Sequence, residues 1–68
     1  MIRFWITVVG DFESETLWNE VSSYKVNVLD MDDGKIHCYG DATPTVFATI
    51  VSICTKYSKK LNIEVTVP

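Results

Sequence analysis

Sixty-eight residues fit a single domain, 1–68, near the lower size at which chains fold without a disulfide, a metal or a partner subunit. With 47% hydrophobic and 22% charged residues, the chain lies outside the disordered class. Its net charge of -3 and pI near 4.8 speak against nucleic-acid phosphates and anionic membranes as partners, since both attract basic surfaces.

The chain opens with Ile2, Phe4, Ile6 and Val8 alternating against Arg3, Trp5, Thr7 and Val9, the period of a half-buried strand with the first set facing the core. The apolar run from Met1 to Val9 is too short to span a membrane and lacks a small-residue cleavage pattern, so the expectation is a cytoplasmic protein. Gly10-Asp11-Phe12-Glu13-Ser14 breaks the strand. Asp11 or Ser14 is expected to cap a short helix whose positive end suits Glu13 and Glu15. Leu17 and Val21 form its narrow apolar stripe, Trp18 sits at the margin, and Ser22-Ser23 ends it.

Tyr24 to Met31 and Lys35 to Gly40 read as two strands joined by Asp33-Gly34, a pair favoured in two-residue turns where both central residues need positive φ. That turn predicts Asp32 opposite Lys35, Met31 opposite Ile36, Asp30 opposite His37, Leu29 opposite Cys38 and Val28 opposite Tyr39. Leu29, Met31, Ile36 and Cys38 then share the core face, and Asp30 with His37 and Asp32 with Lys35 make polar cross-strand pairs.

Thr43 as N-cap and Pro44 at the first helical position start a second helix. Val46, Phe47, Ile50, Ile53, Cys54, Tyr57 and Leu61 recur at three and four, which carries the helix to about Lys60. Lys56, Lys59 and Lys60 read as a basic helix end that complements the macrodipole. Asn62 is expected to end the helix, and Ile63, Val65 and Val67 alternate with Glu64 and Thr66 as the last strand. Cys38 and Cys54 lack CxxC spacing, so neither a zinc site nor a dithiol motif is supported. Both fall on core faces and are expected as buried free thiols, with one disulfide as the alternative.

Strand-helix-strand twice over predicts an α+β, ferredoxin-like βαββαβ fold. Right-handed crossovers give a four-stranded antiparallel sheet in the order 4-1-3-2, with both helices on one face. The helices should cover Phe4, Ile6, Val8, Leu29, Ile36, Cys38, Ile63 and Val65. The open face should carry Arg3, Trp5, Thr7 and Val9 beside Lys35, His37 and Tyr39, flanked by Val26, Val28, Asp30, Glu64 and Thr66. Trp5, Tyr39, Val28 and Val9 together make that face more apolar than a monomer needs. Contact with another protein or with a second copy is therefore expected through Arg3, Trp5, Val28, His37 and Tyr39. RNA-recognition domains of this topology stack bases on strands 1 and 3, but His37-Cys38-Tyr39 does not supply their basic, glycine-rich consensus.

No stretch argues for catalysis. His37 opposite Asp30 is an acid-base pair with no nucleophile beside it. Read as a calcium loop from Asp30, the turn has Lys35 where position six needs glycine and Asp41 where position twelve needs glutamate. Thr43 at a helix start is explained by capping, and neither Walker nor dinucleotide glycine patterns occur. Copper chaperones of this topology carry CxxC in the first loop and acylphosphatases an arginine, and Gly10-Asp11-Phe12-Glu13 holds neither. Bacterial-type ferredoxins need more cysteines. Ile6-Thr7-Val8-Val9-Gly10-Asp11 resembles the start of an ACT regulatory domain, and that resemblance implies a small ligand near Asp11 and Ser14 at a dimer interface. The expectation is a non-catalytic protein-binding module, an adaptor, an inhibitor or a self-associating subunit, with no cofactor and no metal. An ACT-like ligand sensor is the alternative.

Overall fold

Strict alternation makes Ile2–Val9 a strand, β1, and its inward residues Phe4, Ile6 and Val8 are buried in the centre of the molecule. The computed structural model describes residues 1–31 and 34–66. After β1 come α1 (Ser14–Val21), a 3-10 turn (Ser22–Tyr24), β2 (Asn27–Asp30), β3 (Ile36–Ala42), α2 (Pro44–Tyr57) and β4 (Lys60–Thr66). The strands lie in the order β2-β3-β1-β4, antiparallel throughout, which is the expected ferredoxin-like arrangement. Leu17 and Val21 of α1 and Ile50 and Cys54 of α2 close the core over β1 and β3.

The two helices start differently. Thr43 caps α2 as expected, its Oγ1 accepting from the Val46 N–H at 3.3 Å, with Pro44 opening the helix. At α1 neither Asp11 nor Ser14 caps: Glu13 occupies the N-cap without a side-chain bond, and Ser14 is the first helical residue. The loop before α1 passes so close to the end of α2 that a Cβ on Gly10 would sit 2.4 Å from the Tyr57 carbonyl oxygen.

Helix α2 is shorter than its periodicity predicts. Ser58 is extended and the Lys59 N–H donates to the Val9 carbonyl at 2.7 Å, drawing the chain into the sheet. Leu61, spaced four from Tyr57, therefore belongs to β4 and pairs with Val8, and Asn62 lies within that strand rather than ending a helix. Of the expected basic helix end, Lys56 stands in the last turn of α2 and Lys59 and Lys60 lie beyond it. Lys56 pairs with Glu20 of α1 at 2.6 Å, Lys59 pairs with Asp11, and Lys60 joins the sheet. Strand β2 starts later than expected because the 3-10 turn extends α1 and Lys25 is left-handed at φ 61°.

The hairpin register differs by one residue. Asn27 pairs with Tyr39, Val28 with Cys38, Leu29 with His37 and Asp30 with Ile36. The Met31 N–H donates to the Lys35 carbonyl and the Gly34 N–H to the Met31 carbonyl, a wider connection than a two-residue turn, with Gly34 at φ +76°. The expected Asp33-Gly34 turn and the Asp32–Lys35 pair involve residues outside the described ones. A slip of one exchanges the faces of a strand. Val26 and Val28 turn toward the helices, and Leu29 turns to the open side, where it is 40% exposed. On β4, Ile63 and Val65 do face the helix side, yet they remain 39% and 46% exposed because this edge strand lies beyond the helical cover.

Cys38 on β3 and Cys54 on α2 are both free and buried. The neighbouring thiol and then burial push the Cys38 pKa up, so it stays protonated.

Candidate functional site

The open face follows from the register. Arg3, Trp5, Thr7 and Val9 of β1 run between His37, Tyr39 and Asp41 of β3 and Lys60, Asn62, Glu64 and Thr66 of β4. Asn27 and Leu29 of β2 complete it. Trp5 and Tyr39 are cross-strand partners, and their rings stack at 4.6 Å and 17°. At their end of the face Arg3 bonds Asp41 at 3.1 Å, an exposed pair worth at most about 1 kcal/mol.

His37 lies under the middle of this face, 7% exposed. Its cross-strand partners are Thr7 and Leu29, while Asp30 stands opposite Ile36 on the other side, so the expected Asp30–His37 pair does not form. Trp5 Nε1–H donates to His37 Nδ1 at 2.9 Å, and the Thr7 Oγ1 lies 3.2 Å from the same nitrogen. With Nδ1 accepting, the neutral ring carries its proton on Nε2. A hydroxyl against an imidazole is the contact from which nucleophilic catalysts are built. Here the single lone pair of Nδ1 already serves the indole, so Thr7 gains little activation and is better suited to donate to a bound oxygen.

Two depressions flank this centre. The larger, about 790 Å³, has Trp5 and Tyr39 with Arg3, Asp41, Glu64 and Thr66 in its wall. The smaller, about 570 Å³, is formed by Thr7, Val9, Lys35, His37, Lys60 and Asn62. Its lining includes two lysines, a threonine and an asparagine on a chain whose net charge is negative. A third groove, between α1 and β2, is lined by Ser14, Glu15, Trp18, Asn27 and Val28, with Trp18 46% exposed.

Of the residues singled out from sequence, Arg3, Trp5, His37 and Tyr39 are brought together on the sheet, and Val28 is not, since it packs toward the helices. Asp11 is exposed and its carboxyl is held below the usual range by its bond to Lys59, whereas Ser14 lines the α1–β2 groove. Sequence reasoning missed Lys60 and Asn62. Continuing the alternation of Glu64 and Thr66 backward by two and four residues would have put both on the open face. Among the described residues, no three His, Cys, Asp or Glu side chains gather as metal ligands, and no helix is long and apolar enough to cross a membrane.

No family model and no curated protein sequence matches the chain. Among solved structures it is similar to the crystal structure of acylphosphatase from Bacillus subtilis, with a TM-score of 0.81 at 15% identity over 100% of this chain and 88% of that one. At that identity the likeness is one of fold. It nevertheless overturns the expectation of a non-catalytic module, and the ACT-like alternative with it, because an enzyme is built on this architecture at nearly this length. The absence of familiar catalytic motifs was too weak a ground for excluding catalysis, since function resides in sites that one fold carries in many forms.

Proposed function

We propose that the chain is an enzyme of acylphosphatase-like architecture that binds an anionic, phosphoryl-bearing substrate in the depression formed by Thr7, Val9, Lys35, His37, Lys60 and Asn62, and transfers the phosphoryl group to water. The observation that carries this reading is the placement of Lys35 and Lys60 around one concavity of about 570 Å³ on an otherwise acidic protein. Phosphoryl transfer asks little covalent chemistry of a protein and much charge neutralisation and positioning. Two ammonium groups supply the first, and the Thr7 hydroxyl and Asn62 amide supply donors for the second. The first loop lacks the arginine that acylphosphatases use there and carries Asp11 instead, so neutralisation falls to lysines. These act as point charges and not as a bidentate fork.

The test is hydrolysis of acetyl phosphate by the purified chain. Turnover above the buffer rate is expected, with kcat/KM reduced roughly a hundredfold in Lys60→Ala and less in Thr7→Val. No turnover together with no binding of orthophosphate by calorimetry would refute the reading.

The stacked Trp5 and Tyr39 favour a second reading, which concerns partners. Their apolar surface supports contact with another protein or a second copy across the sheet face. Loss of association in Trp5→Ala tests it. Two buried free thiols are in keeping with a cytoplasmic location.

A further inference from the structure

Strand β4 forms one border of the sheet, and among the described residues its outer edge meets no other strand. Exposed edges invite pairing, and proteins blunt them by shortening, bulging or covering the strand. The opposite border is treated in this way, since β2 has four residues; β4 has seven. Ile63 and Val65 add exposed apolar surface on its helix side.

The sequence of β4 is self-complementary. Turned about Asn62, the segment Lys60-Leu61-Asn62-Ile63-Glu64 places Lys60 opposite Glu64, Leu61 opposite Ile63 and Asn62 opposite itself. Lys60, Asn62 and Glu64 all lie on the open face and Leu61 and Ile63 both on the helix side, so this register keeps the two faces aligned. Centring on Ile63 would instead set Lys60 against Thr66 and Glu64 against Asn62. Only the turn about Asn62 satisfies both charges in both copies. We infer that two copies of this chain pair antiparallel through β4 about a two-fold axis at Asn62, joining their four-stranded sheets into one continuous sheet. The opposite-charge pairs fix the register, and the Leu61–Ile63 contacts bury the apolar side of the edge. Lys60 also borders the proposed anion site, so the measurement is made in phosphate-free buffer.

Sedimentation equilibrium of the full chain should show the mass rising with concentration from 7.7 kDa toward twice that value. Lys60→Glu or Glu64→Lys alone sets like charges opposite each other at both ends of the interface, and each should weaken dimerisation roughly tenfold or more. The double variant Lys60→Glu/Glu64→Lys should restore it. Circular dichroism establishes that each variant folds, and amide exchange at residues 61–63 should slow as the native chain is concentrated. A monomer at every concentration would overturn the inference. So would a double variant that stays monomeric, or a dimer that survives both single reversals and is lost in Trp5→Ala.

Discussion

Trp5 Nε1–H donates to Nδ1 of His37 and the Thr7 hydroxyl lies against the same nitrogen, so the three side chains tie β1 to β3 at the centre of the open face. None of this is visible in a pattern of polar and apolar letters, since it depends on which residues the register makes diagonal. A second polar cluster sits between the helices, where Glu20 accepts from Lys56 and from the Tyr57 hydroxyl. The Lys56 bond, followed by the Tyr57 bond, lowers the Glu20 pKa from 4.5. A carboxylate whose folded pKa is depressed stabilises the fold above its unfolded value, and that contribution is lost as pH falls through the folded one. Denaturation midpoints measured below pH 4.5 should therefore decline more gently with acid in Glu20→Gln than in the native chain. Tyr57 works in the opposite direction: its pKa is raised, chiefly by the Glu20 bond, so its share persists below 10 and fades as pH rises through the folded value.

The elements were legible where one signal stood unopposed. Alternation alone placed β1, and Thr43-Pro44 placed the start of α2 to the residue. Errors arose where two signals competed. Leu29 and Met31 are as apolar as Val26 and Val28, so hydropathy could not choose the face of β2, and only the pairing with β3 decides it. The spacing of Tyr57 and Leu61 mimics another helical turn, and this kept Lys60 and Asn62 off the candidate site. What stops α2 is a tertiary contact, the Lys59 N–H on Val9, beside the close approach of Gly10 to the Tyr57 carbonyl. Gly10→Ala would force that contact apart, and thermal unfolding should register a loss of about 1–3 kcal/mol. A melting temperature equal to that of the native chain would show that the loop has slack.

At the scale of the whole molecule, both helices cover one side of the sheet and leave the other to function, and the proposed anion site and dimer edge meet at Lys60. One ammonium cannot give its full charge both to a bound phosphoryl group and to a neighbouring Glu64. Orthophosphate should therefore loosen the dimer, and by linkage dimerisation should weaken phosphate binding by the same factor. Sedimentation with and without phosphate measures this, and a dimer indifferent to phosphate would separate the two sites.

The buried thiols of Cys38 and Cys54 carry a practical consequence. A water-soluble thiol reagent can reach them only when β3 and α2 part, so the molecule contains its own clock for opening. If its layers separate only on global unfolding, both sulfurs will be modified at one shared rate set by the stability of the whole domain. If the α2 side lifts by itself, labelling will outrun global unfolding, and the gap between the two rates will measure how independently that layer breathes.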